Sequence, residues 1–297
     1  MPDTASIPDA PDLRRIGPVH VIGANGRSGQ ALVRALLDRG ATVVPVVRSV
    51  DRWRAAGIQL PPRIADLEDR TALATALAGA SRVVSTAHAR YAGLVLDAGP
   101  ADAAFMFLGS TRKFTRWPDE HGNGVLAGER AFQASGRRGV MLHPTMIYGA
   151  EGEDNVQRLA SLLRRLPVVP LPGGGRALVQ PIHQSDVTAS VLAALERDWD
   201  GPHGLVIAGP DVLAYRAFVA AIADAAGLPR RRIVSIPAWP LMAGALLARP
   251  IPGLPSIGVS EIRRLMEDKA FDIGPMREML RLNPISLAVG LARTFAR

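Results

Sequence analysis

Apolar residues follow two rhythms along the first half of this chain. Short aliphatic and aromatic runs stand at 19–22, 42–47, 63–65, 82–85, 104–108 and 140–142, and read as strands. Between them, over 27–39, 70–77, 90–96 and 125–135, apolar residues recur at every third and fourth position, the period of a helix with one buried face. Strand and helix in alternation predict an α/β fold: a doubly wound parallel sheet whose crossovers are right-handed.

After Tyr148 and Gly149 the rhythm changes. A helix is predicted over 156–163, a Pro/Gly-rich passage over 166–175, a strand near 177–180 and a helix over 185–195. A strand at 204–208 and helices near 215–225, 239–247, 261–267 and 286–295 follow. The expected organisation is a flexible leader over residues 1–16, a doubly wound core over 17–150, and a smaller, discontinuous lobe over 151–297 whose stretch 177–210 partly returns to the core. No repeat or low-complexity linker interrupts it.

The first run breaks into Gly-Ala-Asn-Gly-Arg-Ser-Gly at 23–29 and then becomes helical. Gly23 lets the strand turn sharply, Gly26 admits a pyrophosphate against bare backbone, and Gly29 lets the helix carrying Leu32, Val33, Leu36 and Leu37 pack closely on the sheet. The helix N-terminus adds unpaired N–H groups and a positive dipole end. A strand before and an amphipathic helix after are the context that separates a dinucleotide loop from an ordinary turn.

Composition narrows the class. The chain has 297 residues, 48% of them hydrophobic, and no run of 18 uncharged apolar residues, so a soluble globular protein without a transmembrane segment is expected. Zero cysteines exclude disulfides, thiolate metal sites and cysteine nucleophiles, and fit a reducing cytoplasm. Residues 1–16 lack the hydrophobic region of a signal peptide, and secretion is not expected. The net charge of +8 comes from arginine, since of 35 basic residues only Lys113 and Lys269 are lysines. With 5% aromatics, scattered arginines and no nucleic-acid module, this is a solvated basic surface that favours anionic cofactors and substrates, not a nucleic-acid binder. The stretch 236–257, with Trp239, Leu241, Met242 and five prolines, is too broken to span a membrane and reads as packing over a substrate cleft.

Five segments together resemble the short-chain dehydrogenase/reductase superfamily, in its extended and atypical branch of epimerase/dehydratase-like and NmrA-like NAD(P)-binding proteins. They are Gly23-x-x-Gly26-x-x-Gly29, Ala65-Asp66-Leu67, Leu108-Gly109-Ser110-Thr111, His143-Pro144-Thr145-Met146-Ile147-Tyr148-Gly149, and Gln180-Pro181-Ile182-His183-Gln184-Ser185-Asp186-Val187. The resemblance covers roughly residues 17–297 and implies a Rossmann core with a substrate lobe, a small organic substrate between them, and hydride transfer through nicotinamide. It places the cofactor on Gly23, Asn25, Gly26, Arg27, Ser28 and Gly29, with Asp66 and Leu67 at adenine, Thr86 and Ala87 beside the loop, and Pro144 at nicotinamide. Thr111, Tyr148, Gln180 and His183 fall on the substrate side, although the family counterpart of Tyr148 commonly packs. Family members often form homodimers through the helices here predicted at 90–96 and 125–135, but Gly124 and Gly128 weaken the second face.

The second strand ends Val46-Val47-Arg48-Ser49, where an NAD-binding chain usually presents an acid to the ribose hydroxyls. Arg48 with Arg27 can hold a 2′-phosphate through charge-assisted bonds, which favours NADP over NAD. Asp51 lies beyond the strand, placed to cap the next helix.

The family's catalytic tyrosine stands four residues before a lysine, and this chain lacks that pair. Its tyrosines are Tyr91, Tyr148 and Tyr215, followed at that spacing by Val95, Gly152 and Val219. Counting back from Glu129 puts Val125 at the lysine position and His121 at the tyrosine position. An imidazole near pKa 6.5 exchanges protons at neutral pH without a helping cation, unlike a phenol near 10. His121 is therefore the candidate acid or base, beside Ser110 as the hydrogen-bond donor to a substrate carbonyl. The plain alternative is a solvated loop histidine among Asp119, Glu120, Gly122 and Asn123. Lys113 is a further candidate, with surface placement the simpler reading. His88, His143 and His183 lack zinc spacing, so no metal site is assigned; Asp186 reads as a helix anchor and His20 as a packed strand residue. The leading reading is an NADP-dependent oxidoreductase or epimerase-like enzyme. The rival is a non-catalytic NAD(P)-binding sensor or assembly protein, favoured by the missing pair.

Overall fold

The computed structural model describes residue 13 and residues 16–149, 155–247 and 259–296. Strands β1 (Val19–Ile22), β2 (Val43–Val47), β3 (Arg63–Ile64), β4 (Arg82–Ser85), β5 (Ala104–Leu108) and β6 (Gly139–Pro144) alternate with helices α1 (Arg27–Asp38), α2 (Val50–Ala55), α3 (Arg70–Leu77), α4 (Ala92–Ala98) and α5 (Glu120–Ser135). The chain continues through β7 (Ile147–Tyr148), α6 (Asn155–Arg165), β8 (Val168–Pro172), β9 (Leu178–Val179), β10 (Ile182–His183) and α7 (Gln184–Glu196). It ends with β11 (Pro202–Ile207), β12 (Leu213–Ala214), α8 (Tyr215–Ala225), β13 (Arg232–Ile236), α9 (Ala238–Leu247), α10 (Val259–Arg264), α11 (Gly274–Leu280) and α12 (Leu287–Phe295).

Among the described residues seven strands form one sheet in the order β11-β6-β5-β4-β1-β2-β3. The pairings from β3 across to β6 are all parallel. Strand order reverses between β1 and β4, and the crevice outside the carboxyl ends of strands at such a reversal is where doubly wound sheets bind ligands. All four residues of β1 are buried, which is why its sequence is a continuous apolar run rather than an alternating one. Its one polar member, His20, lies 3.3 Å from Arg63 Nη1, which also donates to the carbonyls of Ala76 and Ala78. Burial, and after it the Arg63 charge, pushes the His20 imidazole down to about 4. Helix α1 buries Leu32, Val33 and Leu36, whereas Leu37, predicted on the packed face, is 37% exposed.

Chain contacts divide the molecule into two compact units: Met1–Gly109 with Leu126–Leu142 and Thr188–Gly204, and Ser110–Val125 with His143–Val187 and Leu205–Arg297. Most of the predicted leader lies outside the described residues; within it Leu13 is buried, and the Ile16 carbonyl accepts from Arg82 Nη1 at 2.6 Å. Most of the proline-rich stretch also lies outside them, its residues 248–258 undescribed.

Three differences from the sequence reading have local causes. Helix α5 begins at Glu120, ahead of the predicted 125, because Asp119 caps it: its Oδ1 accepts the Gly122 N–H at 2.8 Å and its carbonyl the Asn123 N–H at 2.9 Å. His121 therefore sits in a helical turn, not an exposed loop. Gly128 packs inward within the first unit, since a Cβ there would stand 1.9 Å from the Ala89 carbonyl oxygen. The passage over 166–175 contains β8, which pairs in parallel with β13 despite its prolines; neither β13 nor α11 was predicted. In the second unit Tyr148, Val156, Leu163, Phe218, Ile222 and Leu291 form the core.

Candidate cofactor-binding site

The loop after β1 is held shut by its own backbone. Gly23 has φ +73°, a conformation that side-chain-bearing residues rarely adopt, and its carbonyl accepts the Gly26 N–H at 2.8 Å. A Cβ on Gly29 would stand 2.2 Å from that same carbonyl oxygen, so only glycine lets α1 start this close to the turn. Thr86 Oγ1, at the end of β4, donates toward the carbonyls of Ile22 and Gly23 at 3.0 and 3.1 Å, and Gln30 Nε2 donates to the Asn25 carbonyl at 3.0 Å. Thr86 thus braces the glycine turn, which leaves Ala87 as the neighbour facing the cleft.

Beside the loop, within the first unit, a cleft of about 440 Å³ opens at the carboxyl ends of the strands. It is lined by Gly23 and Asn25 of the loop, Arg48, Ser49 and Arg52 after β2, Asp66 and Leu67 after β3, and Ala87 and Tyr91 after β4. Its size and lining fit the adenosine half of a dinucleotide. Gly26, Arg27, Ser28, Gly29, Thr86 and Pro144 are not among the lining residues. A second guanidinium on the cleft is that of Arg52, which the sequence reading did not name. Ser49 caps α2 by accepting the Arg52 N–H at 3.4 Å, and this sets Arg52 one turn beyond Arg48. Asp51 neither caps that helix nor lines the cleft; it pairs with Arg54 at 3.5 Å on the open surface. Asp66 Oδ1 accepts the Glu68 N–H at 3.0 Å, a short turn that presents Leu67 to the cleft. Tyr91 adds an aromatic wall, and its hydroxyl accepts from Arg90 Nη2 at 2.9 Å.

The substrate-side candidates fall in the second unit. Ser110 Oγ accepts the Arg112 N–H at 3.1 Å and caps the turn Thr111–Phe114, keeping its hydroxyl proton as a donor. Thr111 Oγ1 donates to the Pro144 carbonyl at 3.2 Å. Lys113, half-buried rather than on the open surface, has its Nζ 3.2 Å from Nε2 of His143. His121 stands among Arg112, Asp119 and Arg264; burial and the two arginines lower its pKa against the opposing pull of Asp119. Burial alone would raise the Asp119 carboxyl, but the Gly122 N–H, Arg112 and Arg264 hold it below the usual carboxylate range.

Three candidates are occupied by architecture. Tyr148 is 1% exposed, its hydroxyl against helix α12 at Gly290 and its ring edge-on to His183 at 5.3 Å. Gln180 is buried, donating to the Gly209 carbonyl at 2.9 Å and accepting the Phe271 N–H at 2.7 Å. His183 is buried with Nδ1 2.7 Å from Ser185 Oγ, and burial followed by Arg293 lowers its pKa. Asp186 accepts the Ile285 N–H at 3.2 Å, which anchors the start of α7 as its sequence position suggested.

The glycine loop, the strand-order reversal and the cleft define an NAD(P)-binding Rossmann protein. Residues 23–122, about a third of the chain, match the family model described as NAD(P)H-binding. Solved structures share the fold over nearly the whole chain. The NADPH-dependent quinone oxidoreductase QOR2 of Escherichia coli, solved with NADPH, superposes with a TM-score of 0.73 at 17% identity, covering 93% of this chain and 99% of that one. MoeE5, solved with UDP-glucose and NAD, gives 0.68 at 20% identity over 94% and 97%. The UDP-N-acetylglucosamine 4-epimerase of Bacillus cereus gives 0.70 at 15% identity over 94% and 95%. No curated protein matches the sequence. Among the described residues no helix is long and apolar enough to cross a membrane.

Proposed function

We propose that this protein is an NADP-dependent oxidoreductase that transfers hydride to or from a small carbonyl or alcohol substrate. The observation that carries the reading is the stretch of cleft lining after β2, Arg48, Ser49 and Arg52, where two guanidiniums stand in place of a ribose-binding acid. A 2′-phosphate carries nearly two negative charges and accepts several charge-assisted bonds, whereas a bare ribose hydroxyl pair offers these cations little. Ser110 is the proposed substrate-oxygen donor, Thr111 a proposed substrate-side neighbour whose own proton goes to the Pro144 carbonyl, and His121 the first candidate acid or base. The bound cofactor would supply the hydride; Gly23, Asn25, Arg48, Arg52, Asp66, Leu67 and Ala87 would hold its adenosine end. Pro144 and Arg27 are proposed contacts farther along it.

The resemblance to sugar-nucleotide epimerases keeps an epimerase-like reaction within the same chemistry, and the quinone oxidoreductase likeness points to a carbonyl acceptor. One observation favours a second reading, a cofactor-binding sensor: none of Tyr91, Tyr148 and Tyr215 has a lysine four residues on. Paired calorimetric titrations of cofactor-free protein with NADPH and NADH test both. Micromolar NADPH affinity with at least tenfold weaker NADH is the expected result. Absence of binding to either cofactor would overturn both readings.

A further inference from the structure

Two facts of placement bring Lys113 into the chemistry. Strands β5 and β6 are parallel neighbours, with Leu108 opposite Leu142, so the residues beyond this pair, after the end of β5 and in the last residues of β6, emerge side by side at the carboxyl edge of the sheet. One segment there carries Ser110, Thr111 and Lys113, the other His143 and Pro144. They are tied twice: Thr111 Oγ1 to the Pro144 carbonyl at 3.2 Å, and Lys113 Nζ to His143 Nε2 at 3.2 Å. The Lys113 cation is thus anchored to the stretch that the resemblance sets against nicotinamide.

With Lys113 as an ammonium, which only donates, the contact calls for His143 Nε2 as its acceptor. His143 is 1% exposed, which makes it a rigid acceptor rather than a group that meets substrate. Lysine is also uncommon here, one of two among 35 basic residues. A guanidinium holds its proton at any physiological pH, while an ammonium can give one up. The other lysine, Lys269, donates to the Arg264 carbonyl at 2.9 Å.

We infer that Lys113, rather than His121, is the catalytic proton donor to the substrate oxygen, with His143 its positioning residue, in place of the absent tyrosine and lysine. The inference rests on the hydride-transfer reading above. As hydride from the bound nicotinamide cofactor reaches the carbonyl carbon of a ketone or quinone, the C=O π pair moves to oxygen. One Lys113 N–H bond then breaks and its proton goes to that oxygen, giving the alcohol, or from a quinone the hydroxydienone, which loses the new C–H proton to solvent and gains one on its second oxygen to become the hydroquinone. Water returns a proton to the amine, which keeps its hydrogen bond to His143.

With only two lysines, amine labelling reads the site directly. The full chain is treated with trinitrobenzenesulfonate with and without saturating NADP⁺, and each lysine is followed by peptide mass spectrometry. Lys113 labelling is expected to slow at least fivefold on NADP⁺ binding, with Lys269 unchanged. Replacing His143 by Asn should alter the Lys113 labelling rate while the calorimetric NADPH affinity stays within twofold. In NADPH oxidation with menadione as the probe, Lys113→Met and Lys113→Arg should both lose at least a hundredfold in kcat, because Arg keeps the charge but not the transferable proton. Calorimetric binding of NADP⁺ with no protection of Lys113, or full activity of Lys113→Arg, overturns the assignment and leaves the cofactor reading standing. No binding at all overturns the cofactor reading first, and this assignment with it.

Discussion

Removing Arg48 or Arg52 should separate the two nicotinamide cofactors. Both guanidiniums line the cleft, and both are exposed, so water and salt screen them. A hydrogen bond to a charged group contributes about 1.5–3 kcal/mol when well sheltered, and exposure brings each arginine here to roughly 1–1.5 kcal/mol. Since about 1.4 kcal/mol is tenfold in affinity, Arg48→Ala or Arg52→Ala should each weaken NADPH about tenfold and NADH less than about twofold. The double variant should lose roughly fiftyfold, short of the product, because two cations on one phosphate share its charge. Arg52→Ala leaves the helix cap intact, as Ser49 accepts the backbone N–H of that residue and not its side chain. Arg27→Ala, at the first residue of α1 and outside the cleft lining, should weaken both cofactors alike. Calorimetry at low and high salt measures all of this, and the NADPH advantage should shrink as salt rises. Equal losses for NADPH and NADH in the Arg48 and Arg52 variants would refute the 2′-phosphate argument.

Three further outcomes concern stability. His20 has a folded pKa near 4 against an ordinary 6.5, so the unfolded chain binds its proton first as pH falls. The associated stability is complete above pH 6.5 and is lost progressively toward pH 4, by about 3 kcal/mol; His20→Gln, followed by urea unfolding, should flatten this slope, and an unchanged slope would show that another group carries it. Asp186 runs the opposite way: burial lifts its carboxyl to about 6 despite the Ile285 N–H and Arg293, so its ionisation costs stability as pH rises from 4 through 6. Asp186→Asn keeps an acceptor for Ile285 and should stabilise the protein at pH 8 by about 2 kcal/mol, with no gain at pH 4. A Cβ at Gly290 would stand 2.0 Å from Tyr148 Oη, so Gly290→Ala should cost roughly 2–3 kcal/mol in thermal unfolding, and adding Tyr148→Phe should recover part of it; no recovery would mean that the clash is relieved elsewhere.

The parts of the site that were legible in the sequence are those fixed by local backbone. Gly23 and Gly29 announce a turn and a close approach, and the structure uses them for a positive φ and a carbonyl contact. Arg52 was hidden because α2 is a short helix without clear apolar periodicity; its signal was Ser49 at the cap, which a search for N-cap residues after β2 could have found. The first turn of α5 was hidden for the opposite reason, since Gly122 and Gly124 look like loop residues unless Asp119 is recognised as the cap that starts a helix over them. Strand β8, carrying prolines, shows itself only through its partner β13, some sixty residues on. The Lys113 contact with His143 depends on the register of two parallel strands and has no trace in either segment alone. That asymmetry bears on function. The cofactor half of such a site is built from one loop and the strand ends beside it, so sequence spacing reaches it. The proton-transfer half is assembled from segments distant in sequence, and a chain that drops the familiar tyrosine and lysine can keep that chemistry with residues that no motif marks.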